Sequence, residues 1–270
     1  MSTAAPSVIA VVNQKGGVGK TTTAINLGAA LAERGAPVLV IDVDPQSNST
    51  SGLGVDPSRA RRTVYQLLFG EGSMDEVVTG TSMPGLFLVP SQTGLAGAEI
   101  ELAGEGSREF RLRGALAGLT RPFRFVLIDC PPSLGLLTVN ALAAATEMLV
   151  PMQAEYFALE GLSHLMYTQQ LVRMNLNPAL DLGGIVLTQF DSRTALAWEV
   201  LQEVRRAYPE KVFRTLVPRN VRIGEAPSHG MPVLRYDPAC RGSTAYRHLA
   251  EELLGRSGEA SLEARGSTSA

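Results

Sequence analysis

The sequence predicts an α/β fold of three layers, with a mostly parallel central sheet flanked by helices. Three observations predict it. Short apolar, β-branched runs alternate along the chain with longer segments of helical character. A glycine-rich turn separates the first such run from the first helix. Acidic residues close two of the runs, at the end of the strand where open parallel sheets collect their ligands. With 45% hydrophobic and 19% charged residues, 270 residues suffice to bury the core of one large domain.

The elements follow in order. Ser7 to Val12, S-V-I-A-V-V, suits a strand buried on both faces. After the glycines, Thr21 to Gly35 carries Ile25, Leu27 and Leu31 among alanines, the pattern of a packed helix, with Gly35 as its stop. Further strands are expected at Pro37 to Asp42, Leu86 to Pro90, Arg124 to Asp129, Glu147 to Pro151 and Leu182 to Thr188. Lys211 to Leu216 and Pro232 to Leu234 are shorter candidates. Helices are expected at Thr63 to Phe69, Leu95 to Leu119 with a break near Gly104, Leu134 to Ala145, Ala158 to Asn175, Leu196 to Ala207 and Thr244 to Leu254. Such alternation implies right-handed crossovers between parallel strands. The sequence shows no internal repeat or interior linker. It reads as a flexible start (residues 1–7), one domain (8–254) and a disordered tail (255–270) whose only large apolar residue is Leu262.

The turn itself is Lys15-Gly16-Gly17-Val18-Gly19-Lys20-Thr21-Thr22. It holds two of the three lysines in a chain with 21 arginines. Lysine is a compact ammonium and arginine a rigid planar fork, so this placement argues for a need that guanidinium does not meet. Strand, glycine turn and helix form a phosphate-binding loop, the signature of a P-loop NTPase fold. Successive N–H groups make a concave nest, and the helix N-terminus adds partial positive charge. Lys20 would reach the β- and γ-phosphates, and the Thr21 hydroxyl would complete a Mg²⁺ shell.

The spacing departs from the plain G-x-x-x-x-G-K-[ST] pattern, because Gln14 stands where its first glycine would be, with Lys15 next. The form K-G-G-V-G-K-T-T resembles the deviant Walker A motif of the ParA/MinD family of ATPases. That resemblance implies that Lys15 reaches across a dimer interface to the phosphates of the partner's ATP. It runs from about Val8 to about Leu254.

Two acidic stretches complete the pattern. Asp42-Val43-Asp44-Pro45-Gln46 ends the second strand, and Asp42 and Asp44 share a face. The resemblance gives Asp44 the catalytic task of positioning the attacking water, alongside Lys15 and Lys20. Asp42 would support the loop or the metal's water shell; alone, both would pass for turn residues at a strand end. Leu127-Ile128-Asp129 fits a Walker B carboxylate for Mg²⁺, and Asp129-Cys130-Pro131-Pro132-Ser133 is similar to the family's D-x-P-P-S switch. Glu155, by resemblance, lies near the dimer interface and the partner's nucleotide; it also reads as an ordinary helix-start carboxylate. By resemblance alone, Pro218 packs on the adenine and Asn220 hydrogen-bonds to it.

The resemblance also implies partners. Proteins of the ParA type bind double-stranded DNA without sequence preference as ATP-bound homodimers. Candidate DNA contacts are Arg193, Arg219 and Arg222, with Arg205, Arg206 and Arg247 read as solvated charges. A net charge of −2 fits a patch that works only when doubled by dimerisation. A ParB-like centromere-binding protein would stimulate turnover in segregating chromosome or plasmid copies, and the protein would be cytoplasmic and nucleoid-associated. The few residues before the first strand leave no space for a DNA-reading domain, so operator binding is not expected.

Other readings find less support. Cys130 and Cys240 form no disulfide framework, nor do they match the spacing of the iron–sulfur cluster in the nitrogenase iron protein, which shares this loop type. Cys130 reads as a small buried residue, Trp198 as helix packing. His164, His229 and His248 lack ligand spacing. No apolar run approaches a membrane span, and no C-terminal amphipathic helix supports the alternative of a MinD-like membrane-positioning ATPase. A dethiobiotin-synthetase-like ligase would need a substrate motif that is not found. A non-catalytic module is opposed by the intact Lys20, Thr21, Asp44 and Asp129.

Overall fold

The computed structural model describes residues 5–266, with side-chain surroundings given through Arg256. The first half of the chain contains β1 (Ser7–Val11), α1 (Lys20–Glu33), β2 (Val38–Asp42), α2 (Asn48–Gly52), α3 (Val64–Phe69) and α4 (Met74–Val77). It continues through β3 (Thr79–Gly80), β4 (Leu86–Val89), α5 (Leu95–Leu102), a 3₁₀ turn at Arg108–Phe110, α6 (Arg111–Ala117) and β5 (Phe125–Asp129). The second half contains α7 (Leu136–Ala144), β6 (Glu147–Gln153), α8 (Ala158–Asn175), β7 (Asp181–Thr188) and α9 (Ala195–Ala207). The chain closes with α10 (Val221–Glu225), α11 (Val233–Tyr236) and α12 (Arg241–Gly266).

The seven strands form one sheet in the order β3-β4-β2-β5-β1-β6-β7, parallel except for β3 against β4. Alternation along each strand divides the core into two layers. Ile9, Val11, Val38, Val40 and Leu127 face α1 and α12. Val8, Ala10, Leu39, Ile41, Val126 and Ile128 face α3, α5, α7, α8 and α9. Helix α1 lies close against the sheet because Gly28 has no side chain; a Cβ there would come within 3.1 Å of Leu86 and 3.3 Å of Val40.

Several expectations need correction. Lys211 to Leu216 is not a strand. Val212 makes an isolated bridge to Ile185, with the Phe213 N–H donating to the Ile185 carbonyl, but Arg214 and Thr215 then donate to the Glu252 carboxylate of α12 and the ladder stops. Pro232 to Leu234 opens helix α11, where Arg235 and Tyr236 both donate to the Pro232 carbonyl. β3, α2, α4 and α10 were not expected, each being five residues or fewer.

The expected terminal segments fall partly outside the described residues, which exclude 1–4 and 267–270. Within them, β1 already begins at Ser7 and the backbone of α12 stays helical through Gly266, past the expected boundary at Leu254. Arg256 ties this helix down, pairing with Glu252 at 3.1 Å and donating to the carbonyl of Val212.

Candidate functional site

The site gathers at the carboxyl ends of β1, β2, β5, β6 and β7. Between β1 and α1 the chain turns through Gly17 (φ 76°) and Gly19 (φ 85°), left-handed positions that favour glycine. Gly19 is the N-cap of α1, so the loop leads straight into a helix N-terminus. Three side chains hold the loop from behind. Gln153, at the end of β6, donates to the Gly17 carbonyl at 3.0 Å, and Gln189 donates to the same oxygen at 2.8 Å. The Thr188 hydroxyl donates to the Val18 carbonyl at 2.7 Å. With these carbonyls held, the loop N–H groups are left for an anion.

The two lysines of the loop part company. Lys20 is 7% exposed and its Nζ donates to the Lys15 carbonyl at 3.2 Å. Burial lowers its proton affinity, against the pull of Asp129 and Asp44. The Lys15 side chain is 54% exposed and pairs with Glu155 just beyond β6.

Asp42 and Asp129 stand side by side in the register of β2 and β5, both fully buried. Burial raises both carboxyls, Asp42 to about 8 and Asp129 to about 6, and the charge of Asp129 adds to the rise at Asp42. The Asp42 carboxylate is fully engaged. It accepts from the Asp44 N–H at 3.1 Å, the Thr50 N–H at 2.8 Å and the Thr50 hydroxyl at 2.7 Å. Asp129 differs, because Ser49 donates to Oδ2 at 2.7 Å while the buried Oδ1 has no hydrogen-bond partner.

That orphaned oxygen, with the Thr21 hydroxyl close enough to lower its proton affinity, fits a hard cation with oxygen ligands. Among the described residues no cluster of three or more His, Cys, Asp or Glu could hold a metal. Mg²⁺ needs none, since it takes one or two protein oxygens and completes its shell with phosphates and water. Cys130, next to Asp129, is wholly buried and its thiol is pushed up by burial, as suits a packing residue.

Asp44 is nearly buried and accepts from the Gln46 N–H at 2.9 Å through Oδ1. Pro218 and Asn220 line a cavity of about 450 Å³ with Gly19, Thr22, Thr188, Gln189 and Tyr246. Asn220 is the N-cap of α10: its Oδ1 accepts from the Arg222 N–H at 2.8 Å, which leaves its amide group as the free donor.

Of the three candidate DNA arginines, one lines this cavity and two are held in exposed ion pairs. Arg193 clasps Asp191 through two bonds of 2.8 and 2.7 Å. Arg222 lies between Glu225 at 2.9 Å and Asp237 at 3.4 Å. Arg219 lines the cavity and has no ion pair among the described residues. The site residues that sequence reasoning missed are Thr188, Gln189, Gln153, Ser49, Thr50 and Ser91. Only the strand-end position of Thr188, Gln189 and Gln153 could have flagged any of them.

Known proteins share this arrangement. The family described as an AAA domain matches residues 6–182. The chain is similar to the sporulation initiation inhibitor protein Soj of Bacillus subtilis, at 48% identity over 91% of this chain and 97% of that protein. It is similar to the chromosome partitioning protein ParA of Caulobacter vibrioides, at 51% identity over 92% of this chain and 94% of that protein. Among solved structures, it is similar to a cobyrinic acid a,c-diamide synthase of Mycobacterium smegmatis with bound ATP analogue and magnesium. That match has 39% identity and a TM-score of 0.81, and covers 92% and 94% of the two chains. The synthase name stands at lower identity than the partitioning names, which are the ones that decide the family.

Proposed function

This chain belongs to the Soj/ParA family of chromosome-partitioning ATPases, and we propose that it is an ATP-gated dimer that binds DNA and leaves it on hydrolysis. The observation that carries the reading is the split between the lysines. Lys20 lies inside, among buried carboxylates, where a phosphate would meet it. Lys15 lies outside, where a lone protomer gives it nothing but Glu155. A second ammonium on the outer rim has a task once another copy closes over the loop. Beside it Tyr156 and Phe157 are 78% and 71% exposed, an apolar pair suited to burial against that copy.

Each residue then has a role in the cycle. The N–H groups of residues 16–22 and the Lys20 ammonium bind the phosphates, and Pro218 and Asn220 bound the adenine pocket. Thr21 and Asp129 would hold Mg²⁺, which supplies charge neutralisation of the phosphates. Asp44 orients the attacking water with its free oxygen. Lys15, withdrawn from Glu155, adds positive charge to the partner's phosphates. Glu155 is then released at the interface. Arg193, Arg219 and Arg222 contact DNA phosphates. Their exposed ion pairs oppose this little, since such pairs are worth about 0–1 kcal/mol. A ParB-like protein would stimulate turnover, and the dimer would act on the nucleoid. No helix among the described residues is long and apolar enough to cross a membrane.

Sedimentation tests the reading. The expected result is a monomer without nucleotide and a dimer with Mg²⁺ and a non-hydrolysable ATP analogue. Only the dimer should sediment with duplex DNA, and binding should fall steeply between 50 and 200 mM salt, as expected of roughly six to ten phosphate contacts. Equal DNA binding without nucleotide would overturn the gate. Binding to anionic vesicles in place of DNA would move the protein to the MinD-like class.

A further inference from the structure

Behind Asp44 the structure closes a ring of hydrogen bonds that is separate from the phosphate loop. The Asp42 carboxylate accepts from the Asp44 N–H at 3.1 Å and from the Thr50 hydroxyl at 2.7 Å. The Thr50 hydroxyl oxygen accepts from the Ser91 N–H at 2.8 Å. The Ser91 hydroxyl donates to the Asp44 carbonyl at 2.8 Å, which completes the circuit. The same carbonyl accepts from the Ser47 N–H at 2.9 Å. The peptide groups of Asp44 are therefore held on both the amide and the carbonyl side. Its side chain is oriented by the Gln46 N–H on Oδ1, and Oδ2 accepts no hydrogen bond from the described residues.

Thr50 and Ser91 are completely buried, so each must find partners inside the protein. Ser91 follows β4, the strand beside β2, and lies 47 residues from Asp44 and 41 from Thr50. No local turn requires these contacts. What they share is Asp44, the one ring member with an unengaged side-chain oxygen at the phosphate side of the sheet.

We propose that Ser91 and Thr50 are positioning residues for hydrolysis, fixing the Asp44 backbone so that its free carboxylate oxygen holds the attacking water in line. This inference rests on the role assigned to Asp44 above. It adds that Ser91, just past the end of β4, sets the rate of the chemical step but not the affinity for ATP. Misplacing a catalytic group by about 1 Å costs up to roughly 100-fold in rate.

The experiment is a double-mutant cycle on single-turnover hydrolysis in the full chain, with ATP affinity measured in parallel. Ser91→Ala should slow turnover by about 10-fold or more while ATP affinity stays within roughly twofold. On an Asp44→Ala background the same change should have no further effect, because nothing remains to be positioned. An equal slowing of the Asp44→Ala protein, or no slowing of the parent, would overturn the proposal. Asp44→Ala hydrolysing at the parental rate would instead remove the reading beneath it. Thr50 supplies an independent arm if Ser91→Ala does not fold. Thr50→Val, which keeps the shape and deletes the hydroxyl, should be slow, and Thr50→Ser should recover the rate. Equal loss in both would show that the methyl group's packing matters, not the ring, and would end the proposal.

Discussion

The inner and outer halves of the phosphate loop are built to different standards. Inside, Lys20, Asp42, Asp129 and Thr50 are buried and held by one another and by the ends of β2 and β5. Outside, Lys15, Glu155, Arg193 and Arg222 are exposed and engaged in ion pairs with near neighbours, and Tyr156 and Phe157 face water. Apart from Asp129 Oδ1, the buried polar groups there are satisfied within one chain, which fixes the inner half before any ligand arrives. Exposed ion pairs are exchangeable at little cost, which is what the proposed trade for a partner's nucleotide, a second protomer or DNA requires of the outer half. The chemistry is thus preformed, and the coupling waits.

The sharpest break between the halves comes from their lysines. Lys20→Ala should lower ATP affinity at least 100-fold, measured by equilibrium dialysis, because it removes the one ammonium inside the cradle. Unchanged affinity would end the phosphate-loop assignment. Lys15→Ala should behave otherwise. ATP affinity of the monomer should stay within about threefold while dimer formation and turnover fall by 10-fold or more. If both variants lose ATP affinity equally, the division between inner and outer lysine is wrong.

The candidate DNA arginines should give a smaller effect. Arg222→Glu leaves the inner half untouched, so analogue-driven dimerisation should be unaltered. DNA affinity should drop several-fold at low salt, and the slope of its salt dependence should fall by about one. An unchanged gel shift would return Arg222 to the company of Glu225 and Asp237.

How much of this was legible in the sequence follows the same division. Lys20, Thr21 and Asp129 lie in the glycine turn and at a strand end, where residue type and spacing point to phosphate and metal chemistry, whereas the tasks expected of Lys15 and Asp44 came from the family resemblance alone. Strands buried on both faces announce themselves as apolar runs, which is why six of them were found close to their true limits. Ser91 could not be found that way, and Gln153 and Gln189 carry no signal beyond their positions at strand ends. Each acts on a loop more than 40 residues distant, and nothing in its own neighbourhood says so. The failed strand at Lys211 to Leu216 teaches the same lesson from the other side. Its pattern is right and Phe213 bonds to β7, but Glu252 of α12 takes the Thr215 amide that would continue the ladder. Local pattern proposes an element, and long-range hydrogen bonding decides it.

The smallest effect tests the inner half alone, without nucleotide or metal. Burial raises Asp129 from the ordinary carboxylate range to about 6. A group whose proton affinity rises on folding stabilises the fold fully below about pH 4 and loses that contribution as pH climbs through 6. Asn imitates the protonated carboxyl and can still accept from Ser49, so Asp129→Asn should escape this loss. The variant also takes a countercharge from Lys20, which offsets part of the gain. The net expectation in EDTA at pH 8 is a variant with a higher Tm than the parent. The difference should close by pH 5, while Mg²⁺-dependent turnover is lost throughout. Parallel Tm curves for the two proteins between pH 5 and 8 would show that Asp129 is not charged at a cost in the folded protein. The inner half would then hold its carboxylates as easily as the outer half holds its own, and the contrast between them would lie in exposure alone.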